Sequence, residues 1–585
     1  MFNNRALGIL CFFLVLSASA CSPAADSEPA EVGVVLGVAQ DFVDGYYHQF
    51  PEEAFEIAYP DTPMDQLGDR SQEAMREWAA RQDGWLTTLR AIDPAVLEGT
   101  VAAVPYAFAL DRLEASEGRR VCQTQLWNVS PTSNGWQAML SSTFAQQPVA
   151  TDQERATALI RLQAISAYLD TEIENLRAGR AQGYLAPQTN VAAVLRQLDR
   201  MLEGPPMSSP FFDPGSRAQD DAFAALVEDA IAESINPAIA RYRDFLEDEY
   251  MGRDEVGVGH NPDGALCYSA SVRFHTSLAI DASDVHETGL REMNRIQAAM
   301  STIAKESFAT DDVGALLERF RTDPEYTFRS EEEILSYARA AVDRGAVGVH
   351  DWFGFVPDAE LVVQPFPAYQ KASGGGYYSA GSLDGSRPGT YELGTYLPET
   401  ISKAGLEATA FHESYPGHHL QMSVALRGKN VHPLLRYMYV ASMAEGWGLY
   451  TESLADEMGL YSSDLDRMGM LSNQALRAAR LVVDPGMHVL GWSRGQAISY
   501  MLENTAENRA NVESEVDRYL ATPGQATAYM TGSLEIQRMR SDAEQTLGGA
   551  FDVKGFHDTI LADGAVSLPM LQGAVNRWVL AQAER

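Results

Sequence analysis

The segment HESYPGHH at residues 412–419 gathers three histidines and a glutamate into eight residues. It begins like the HExxH helix of zinc proteases, in which histidines four residues apart share one helix face and bind the metal. The fourth residue after His412 is Pro416, whose side chain cannot bind a metal. The chemistry suggested by these residue types is therefore zinc binding, provided that the second histidine comes from beyond the proline.

The second ligand depends on how the backbone passes Pro416 and Gly417. A proline inside a helix removes a hydrogen bond and clashes with the preceding turn, so we expect the helix entering His412 to stop and a new one to start near His418. If two residues loop out, His418 takes the second-ligand position. His419 is the alternative, although in an unbroken helix it lies about 10 Å along the axis from His412, too far for one zinc ion.

Glutamates supply the other parts of such a site. Glu413 follows the first histidine, where a zinc peptidase keeps the general base that takes a proton from the attacking water. The stretch MAEGWGLYTESLADEMG at 443–459 offers Glu445 as a third ligand, among small and aromatic residues. Glu452 lies seven residues on, on the same helix face, and could orient a ligand histidine. The simpler alternative is a solvated helix face.

The remaining pattern predicts a mainly α fold with a small β element beside the site. Two segments, 264–275 and 359–367, read as strands, and a Gly-rich loop at 373–389 precedes the histidine motif. Apolar residues at steps of three and four indicate helices elsewhere. The clearest examples are 69–92, 154–179, 331–345 and 441–458.

Length and charge limit the function. The 585 residues can form a large core and more than one domain. With 44 basic against 80 acidic residues, a net charge of −36 argues against nucleic-acid binding. A soft boundary near 285 would separate an N-terminal helical region, 36–285, from a C-terminal catalytic region, 286–585.

The N-terminus predicts export. Residues 1–20 combine Arg5, a short apolar run and small residues before Cys21, which is typical of a signal peptide. Ser19-Ala20-Cys21 resembles a bacterial lipobox, so we expect Cys21 to carry a lipid anchor that faces the periplasm. The alternative is cleavage after Ala20 and a soluble or secreted protein. Residues 21–35 read as a flexible tether.

Two cysteines remain outside this segment, Cys122 and Cys267. In an exported protein we expect them to form one disulfide bond. The alternative is a pair of buried free thiols.

Several motifs occur in an order that resembles the bacterial lipoprotein family called domain of unknown function 885. That family is placed among the HExxH-type peptidases, near the gluzincins, which bind zinc with two histidines and a glutamate. Weaker similarity extends the resemblance over roughly residues 40–580. The motifs are HESYPGHHLQ, AEGWGLYTE, VDPGMHVLGWSRGQAISYM and PGQATAYMTG, with DGSRPGTYELGTYLP and HETGLREMNRI upstream.

By position, the resemblance implies His412, His418 and Glu445 as zinc ligands and Glu413 as the base. The mostly helical architecture suits a deep channel between two helical halves, as in oligopeptidase relatives, and such a channel would admit short or unfolded peptides.

The resemblance also implies roles around the substrate. His488, and as a second candidate Tyr529, would hydrogen bond the oxyanion of the tetrahedral intermediate. The alternative for each is a core residue whose polar tip is satisfied. Arg387 and Arg480 could bind a substrate carboxylate through the guanidinium fork, or form structural salt bridges instead.

The sequence thus predicts an exported zinc metallopeptidase that hydrolyses peptides. One alternative keeps the zinc but changes the bond, giving an amidohydrolase or esterase on a small cell-envelope substrate. Another is a non-catalytic binding lipoprotein, which the intact Glu413 beside His412 disfavours. Cleavage preference and oligomeric state stay open.

Overall fold

The computed structural model describes residues 29–584, except 55–56, 58, 61, 367–374, 384, 386 and 429–430. The predicted signal peptide and Cys21 lie outside the described residues. The predicted tether is shorter than expected, because the first helix already begins at Ala30. Among the described helices, none combines the length and the apolar character needed to cross a membrane.

Helices dominate the described chain. The N-terminal helices are α1 Ala30–Gln49, α2 Pro51–Ala54, α3 Gln72–Arg90, α4 Ala103–Arg119, α5 Trp136–Gln146, α6 Asp152–Ala181, α7 Gln188–Leu202, α8 Asp213–Arg217, α9 Asp221–Ala230, α10 Asn236–Asp244, α11 Gly264–Thr276, α12 Ala282–Phe308, α13 Val313–Thr322 and α14 Glu331–Gly348. The later ones are α15 Leu406–Glu413, α16 His418–Arg427, α17 Pro433–Tyr437, α18 Ala441–Glu457, α19 Asp464–His488, α20 Arg494–Asn504, α21 Arg509–Ala521, α22 Ala528–Leu547, α23 Val553–Leu561 and α24 Leu568–Ala583.

A small sheet lies between α14 and α15 in the chain. Its strands are β1 Leu361–Pro365, β2 Gly376–Ser379 and β3 Gly389–Leu393, in the spatial order β1-β3-β2. β3 pairs parallel with β1 and antiparallel with β2. The predicted mainly α fold with a small β element is confirmed.

The segment 264–275 is the clear error of the sequence analysis, because it forms helix α11 and not a strand. Its buried residues include Cys267, Tyr268, Ser271 and Val272, which recur at helical spacing along one face. The predicted strand at 359–367 is confirmed as β1, and the four predicted helices are confirmed as α3, α6, α14 and α18 within a few residues at each end.

The hydrophobic cores join distant parts of the chain. One core combines α1, α3 and α4 with α16–α18 and α22–α24, and a second combines α11 and α12 with α19–α21. Both cores cross residue 285, the soft boundary that the sequence suggested. A third core, within 129–250, belongs to the N-terminal region alone. The fourth packs α14 and the sheet against α15, which carries the first histidine of the motif.

The predicted disulfide bond is present between Cys122 and Cys267, with Cα atoms 4.6 Å apart. Cys122 ends the short 3₁₀ helix, Arg120–Cys122, that follows α4, and Cys267 lies in the first half of α11. The bond therefore fixes these two helices to each other across a sequence separation of 145 residues.

Candidate metal centre

The chain interrupts its helix where the sequence predicted. Helix α15 ends at Glu413 and α16 begins at His418. The turn between them leaves no room for a side chain at Gly417, since a Cβ atom there would lie 1.8 Å from the carbonyl oxygen of His412. The indole nitrogen of Trp447 on α18 donates a hydrogen bond to the carbonyl of Pro416 at 3.1 Å. The turn is thus fixed from within and from the neighbouring helix.

This turn brings together the three predicted ligands His412, His418 and Glu445. The Nε2 atoms of both histidines lie 3.5 Å from Oε2 of Glu445. The three ligand atoms all lie within 4.8 Å of one another. The two imidazole rings are nearly perpendicular, with centroids 4.8 Å apart. A single metal ion fits between two nitrogens and one carboxylate oxygen arranged in this way.

Each histidine is oriented through its other ring nitrogen. Nδ1 of His412 donates to Oε1 of the buried Glu452 at 2.9 Å, the role that the sequence suggested for this glutamate. Nδ1 of His418 contacts Oε1 of Gln421 at 3.3 Å. Such partners fix the tautomer and leave Nε2 for the metal. The sequence analysis missed Gln421, although its position three residues after His418 on the same helix was a usable signal.

The cluster carries an excess of negative charge. Burial alone would lower the pKa of His412, but its hydrogen bonds with Glu445 and Glu452 outweigh burial and raise the pKa to about 9. Burial would raise the pKa of Glu445, and its hydrogen bonds with His412 and His418 instead hold it well below the usual range. A positive charge is therefore favoured among these side chains, whether it is a proton on His412 or a cation.

Glu413 lies beside the ligands without belonging to the ligand set. Burial raises its pKa, and the neighbouring His412 and His418 oppose that rise. A carboxyl group with a raised pKa suits exchange of protons near neutral pH. The buried Tyr391 of β3 lies within the electrostatic range of Glu413, and its hydroxyl has no hydrogen-bond partner among the described residues. Tyr391 lies within the motif DGSRPGTYELGTYLP, but only tertiary packing brings it near Glu413.

His419 faces away from the ligand set. Its Nδ1 accepts a hydrogen bond from Tyr378 at 2.9 Å, and its Nε2 lies 3.0 Å from the hydroxyl of Tyr415. Burial lowers its pKa to about 4. The structure thus places His418, and not the alternative His419, with His412 and Glu445.

The predicted oxyanion role of His488 does not fit its surroundings. Its Nδ1 accepts a hydrogen bond from the backbone N–H of Val258, and its Nε2 donates to the carbonyl of Tyr519, each at 3.0 Å. Burial lowers its pKa to about 4, so no second N–H forms near neutral pH. His488 is a core residue with both nitrogens satisfied. Tyr529 differs, because after burial the largest influence raising its pKa is the charge of Glu445.

The two predicted substrate arginines have internal partners. Arg480 donates to Glu515 at 2.6 Å and to the hydroxyl of Tyr519 at 2.9 Å. Its guanidinium carbon lies 4.4 Å from the ring centroid of Tyr529, so it forms the structural salt bridge and supports that ring. Arg387 donates to the carbonyl of Ala380 at 2.8 Å. Arg480 therefore has no free fork for a substrate, whereas the Nε of Arg387 is buried without a hydrogen-bond partner among the described residues.

The sequence analysis missed Arg477, which lies one turn before Arg480 on α19. Its Nη2 atom lies 4.0 Å from Oε1 of Glu452, and its charge acts on Glu413. The spacing of three residues between the two arginines would have placed them on one helix face.

A cavity of about 490 Å³ lies between α1 and α17 and is lined by Asp44, Tyr47, Tyr59 and Arg436 among others. It contains none of the predicted ligands. The candidate metal site is therefore separate from this cavity and is marked by its converging ligand atoms.

Comparisons with known proteins agree with this architecture. The model of the family described as bacterial protein of unknown function (DUF885) matches residues 51–575. A predicted lipoprotein from Colwellia psychrerythraea is 25% identical, with a TM-score of 0.87, and the match covers 94% of this chain and 99% of that one. A predicted lipoprotein of unknown function from Shewanella oneidensis shares the fold at 17% identity and a TM-score of 0.72, with 92% and 99% covered. No curated protein matches the chain. Because the family model spans most of its length, the protein belongs to the bacterial family DUF885.

Proposed function

We propose that this protein is a zinc-dependent metallopeptidase of the cell envelope that hydrolyses short or unfolded peptides. The observation that carries the proposal is the convergence of His412, His418 and Glu445, with both Nε2 atoms 3.5 Å from one carboxylate oxygen. Two histidines and a carboxylate are a ligand set of catalytic zinc sites. Such a set leaves one position free for water or substrate.

The residues present fit a divalent cation. Glu445 and Glu452 both hydrogen bond His412, and together they raise its pKa to about 9. The site therefore attracts a proton when no cation is bound. Imidazole nitrogens suit zinc better than magnesium or calcium, which prefer oxygen ligands.

Each residue of the site then has a separate role in hydrolysis. When bound, zinc supplies Lewis acidity, which polarises a carbonyl group and lowers the pKa of water to about 7. Glu413 accepts the proton of the attacking water and passes it to the leaving amine. Glu452 and Gln421 hold the ligand histidines in their tautomers. The hydroxyl of Tyr529, which lies close enough to Glu445 to be influenced by its charge, donates a hydrogen bond to the developing oxyanion.

A nearby strand favours a peptide as substrate. β2 lies at the edge of the described sheet, next to β3. It lies against the metal-binding helices: Tyr378 of β2 bonds His419, and Gly376 packs on Thr409, one turn before His412. An extended peptide can add to such an edge through main-chain hydrogen bonds, which a small ester cannot do.

The ligand set predicts one zinc ion per chain. His412→Ala, His418→Ala and Glu445→Ala should each lose zinc after dialysis, because each removes a ligand. His419→Ala is the matched control and should keep zinc, since that ring is held by Tyr378 and Tyr415. Elemental analysis of the purified variants decides the matter. Zinc retained by His418→Ala and lost by His419→Ala would reassign the second ligand.

A substitution at a residue that is not itself a ligand should also weaken metal binding. A Cβ atom at Gly448 would lie 2.5 Å from Nε2 of His412, so Gly448→Ala must displace the ring. We expect zinc affinity to fall by about 10-fold or more, comparable with the loss of an orienting partner. Gly84→Ala in α3, where an added Cβ meets nothing within 4 Å, is the control. Equal zinc affinity in Gly448→Ala and wild type, measured by competition with a chelator, would contradict the ligand geometry.

Glu413→Gln separates catalysis from metal binding. The amide keeps the shape of the side chain but cannot accept a proton at neutral pH, and general-base catalysis is worth about 10²–10⁴-fold. The variant should therefore fold and hold zinc but lose about that factor in kcat on peptides. Glu399→Gln, at an exposed position, should retain full activity. Turnover by Glu413→Gln within a few-fold of wild type would contradict this mechanism.

Zinc-loaded wild type that cleaves esters or amides but no peptide would favour the amidohydrolase alternative.

We place the protein in the cell envelope through a lipid on Cys21. The signal-like N-terminus and the lipoprotein description of two structural relatives support this location. Mass spectrometry of the mature N-terminus, purified from a bacterial membrane fraction, should find a diacylglyceryl-modified Cys21, and Cys21→Ala should release the protein from the membrane. An unmodified Cys21 in a soluble mature protein would refute the anchor.

A further inference from the structure

A second polar cluster lies between α4 and α11, outside the metal centre. Arg112 and Arg119 are two turns apart on α4, so they share one helix face. Their guanidinium carbons lie 4.2 and 4.5 Å from the centroid of one ring, that of Phe274 on α11. The aromatic ring therefore gathers two positive charges into one place.

Neither arginine forms an ion pair with a described residue. Arg112 is only 7% exposed and donates one hydrogen bond, from Nη1 to the carbonyl of Phe274 at 3.0 Å. Arg119 makes no hydrogen bond with a described residue, and its Nε is buried. Two carboxylates act on these arginines at longer range, and each is hydrogen bonded to another side chain through one of its oxygens, although the second oxygen of Asp111 has no partner among the described residues. Asp111 accepts from Arg273 at 2.5 Å, and Glu53 accepts from Tyr46 at 2.5 Å.

Unpaired charges of this kind are unfavourable. A buried guanidinium loses its hydration, and a cation–π contact with an aromatic ring offsets only part of that free-energy cost. Burial accordingly lowers the pKa of Arg112 to about 10 and also lowers that of Arg119. The chain has 80 acidic residues against 44 basic ones, so carboxylate partners are abundant elsewhere. Two buried arginines that have no bonded carboxylate among the described residues are suited to bind a negatively charged group of a ligand.

A histidine completes the cluster. His275 follows Phe274, and its Nε2 is buried without a hydrogen-bond partner among the described residues. Burial, together with Arg119 and Arg112, holds its pKa well below the usual range. The ring is therefore neutral, and its unbonded nitrogen adds a polar contact to the site without adding charge.

We propose that Arg112, Arg119 and His275 form a binding site for a carboxylate group. Two guanidinium groups match the charge and the planar shape of a carboxylate. The carboxylate can belong to a peptide or to a small free acid. The peptide source rests on the proposed function, and the fold favours it. The carbonyl of Thr276, two residues after Phe274, accepts a hydrogen bond at 2.8 Å from Ser442, one turn before Glu445 on α18.

Calorimetry with paired probes tests the site. The protein carries Glu413→Gln so that no peptide is consumed, and the probes are trialanine, trialanine amide, succinate and inorganic phosphate. We expect trialanine to bind at least about 10-fold more tightly than its amide, because the amide lacks the negative charge. Arg112→Gln and Arg119→Gln should each remove that preference. Arg90→Gln, an exposed arginine of α3 that pairs with Glu114 and Glu117, should keep it.

Two further arms keep the result interpretable. Titrations repeated after removal of metal by a chelator should retain the arginine-dependent preference, which separates this site from carboxylate binding at the metal centre and from any failure of the peptidase proposal. Succinate binding that equals trialanine binding and depends on both arginines would support the site with a free acid as its ligand. Any one of four results would overturn the proposal. These are equal affinity for trialanine and its amide, unchanged binding in both arginine variants, stronger binding of phosphate than of either carboxylate, and no binding of any probe. Arg119 is half-buried, so Arg119→Gln remains informative even if Arg112→Gln fails to fold.

Discussion

The candidate site depends on one backbone constraint, the four-residue turn between α15 and α16. Without it, a continuous helix would carry His418 around the axis and away from His412. The turn is possible because Gly417 has no side chain where the carbonyl of His412 passes, and the indole of Trp447 holds Pro416 in place. Trp447 also lies two residues after Glu445 on α18. Trp447 therefore belongs to the helix that carries the third predicted ligand, so the positions of all three predicted ligands depend on one another.

The pKa values of His412 and Glu413 are both raised, but for different physical reasons. Carboxylates on two sides raise the pKa of His412, whereas burial governs Glu413 and raises its pKa instead. Two adjacent residues of one helix are thus shifted for different reasons, one by hydrogen-bonded partners and the other mainly by loss of water. A cation and a proton compete for the same negative environment, so binding of a metal would release the proton from His412. Glu413 has no such bonded partner among the described residues, which suits the proton transfer that we propose for it.

Local rules of helix geometry predict much of the candidate site from the sequence. The helix break at Pro416, the restart at His418, and the position of Glu445 and Glu452 on one face all follow from helix geometry and proline chemistry. Contacts between distant segments were beyond such rules. Tyr391 reaches Glu413 from a strand, and His488 is satisfied by two backbone groups far along the chain. The error at 264–275 has a similar origin, because a short run of alternating apolar residues does not distinguish a strand from a buried helix.

That misread segment connects the two polar sites. Helix α11 is joined to the end of α4 by the disulfide of Cys267, carries Phe274 and His275 near its other end, and is hydrogen bonded to α18 beside Glu445. The arginines of α4 and Glu445 of α18 are therefore linked through one short helix. A fixed separation between the proposed carboxylate site and the proposed metal centre would select peptides by length as well as by charge. Such selection needs no contact with peptide side chains, so it would be compatible with broad sequence tolerance in a peptidase that degrades short fragments.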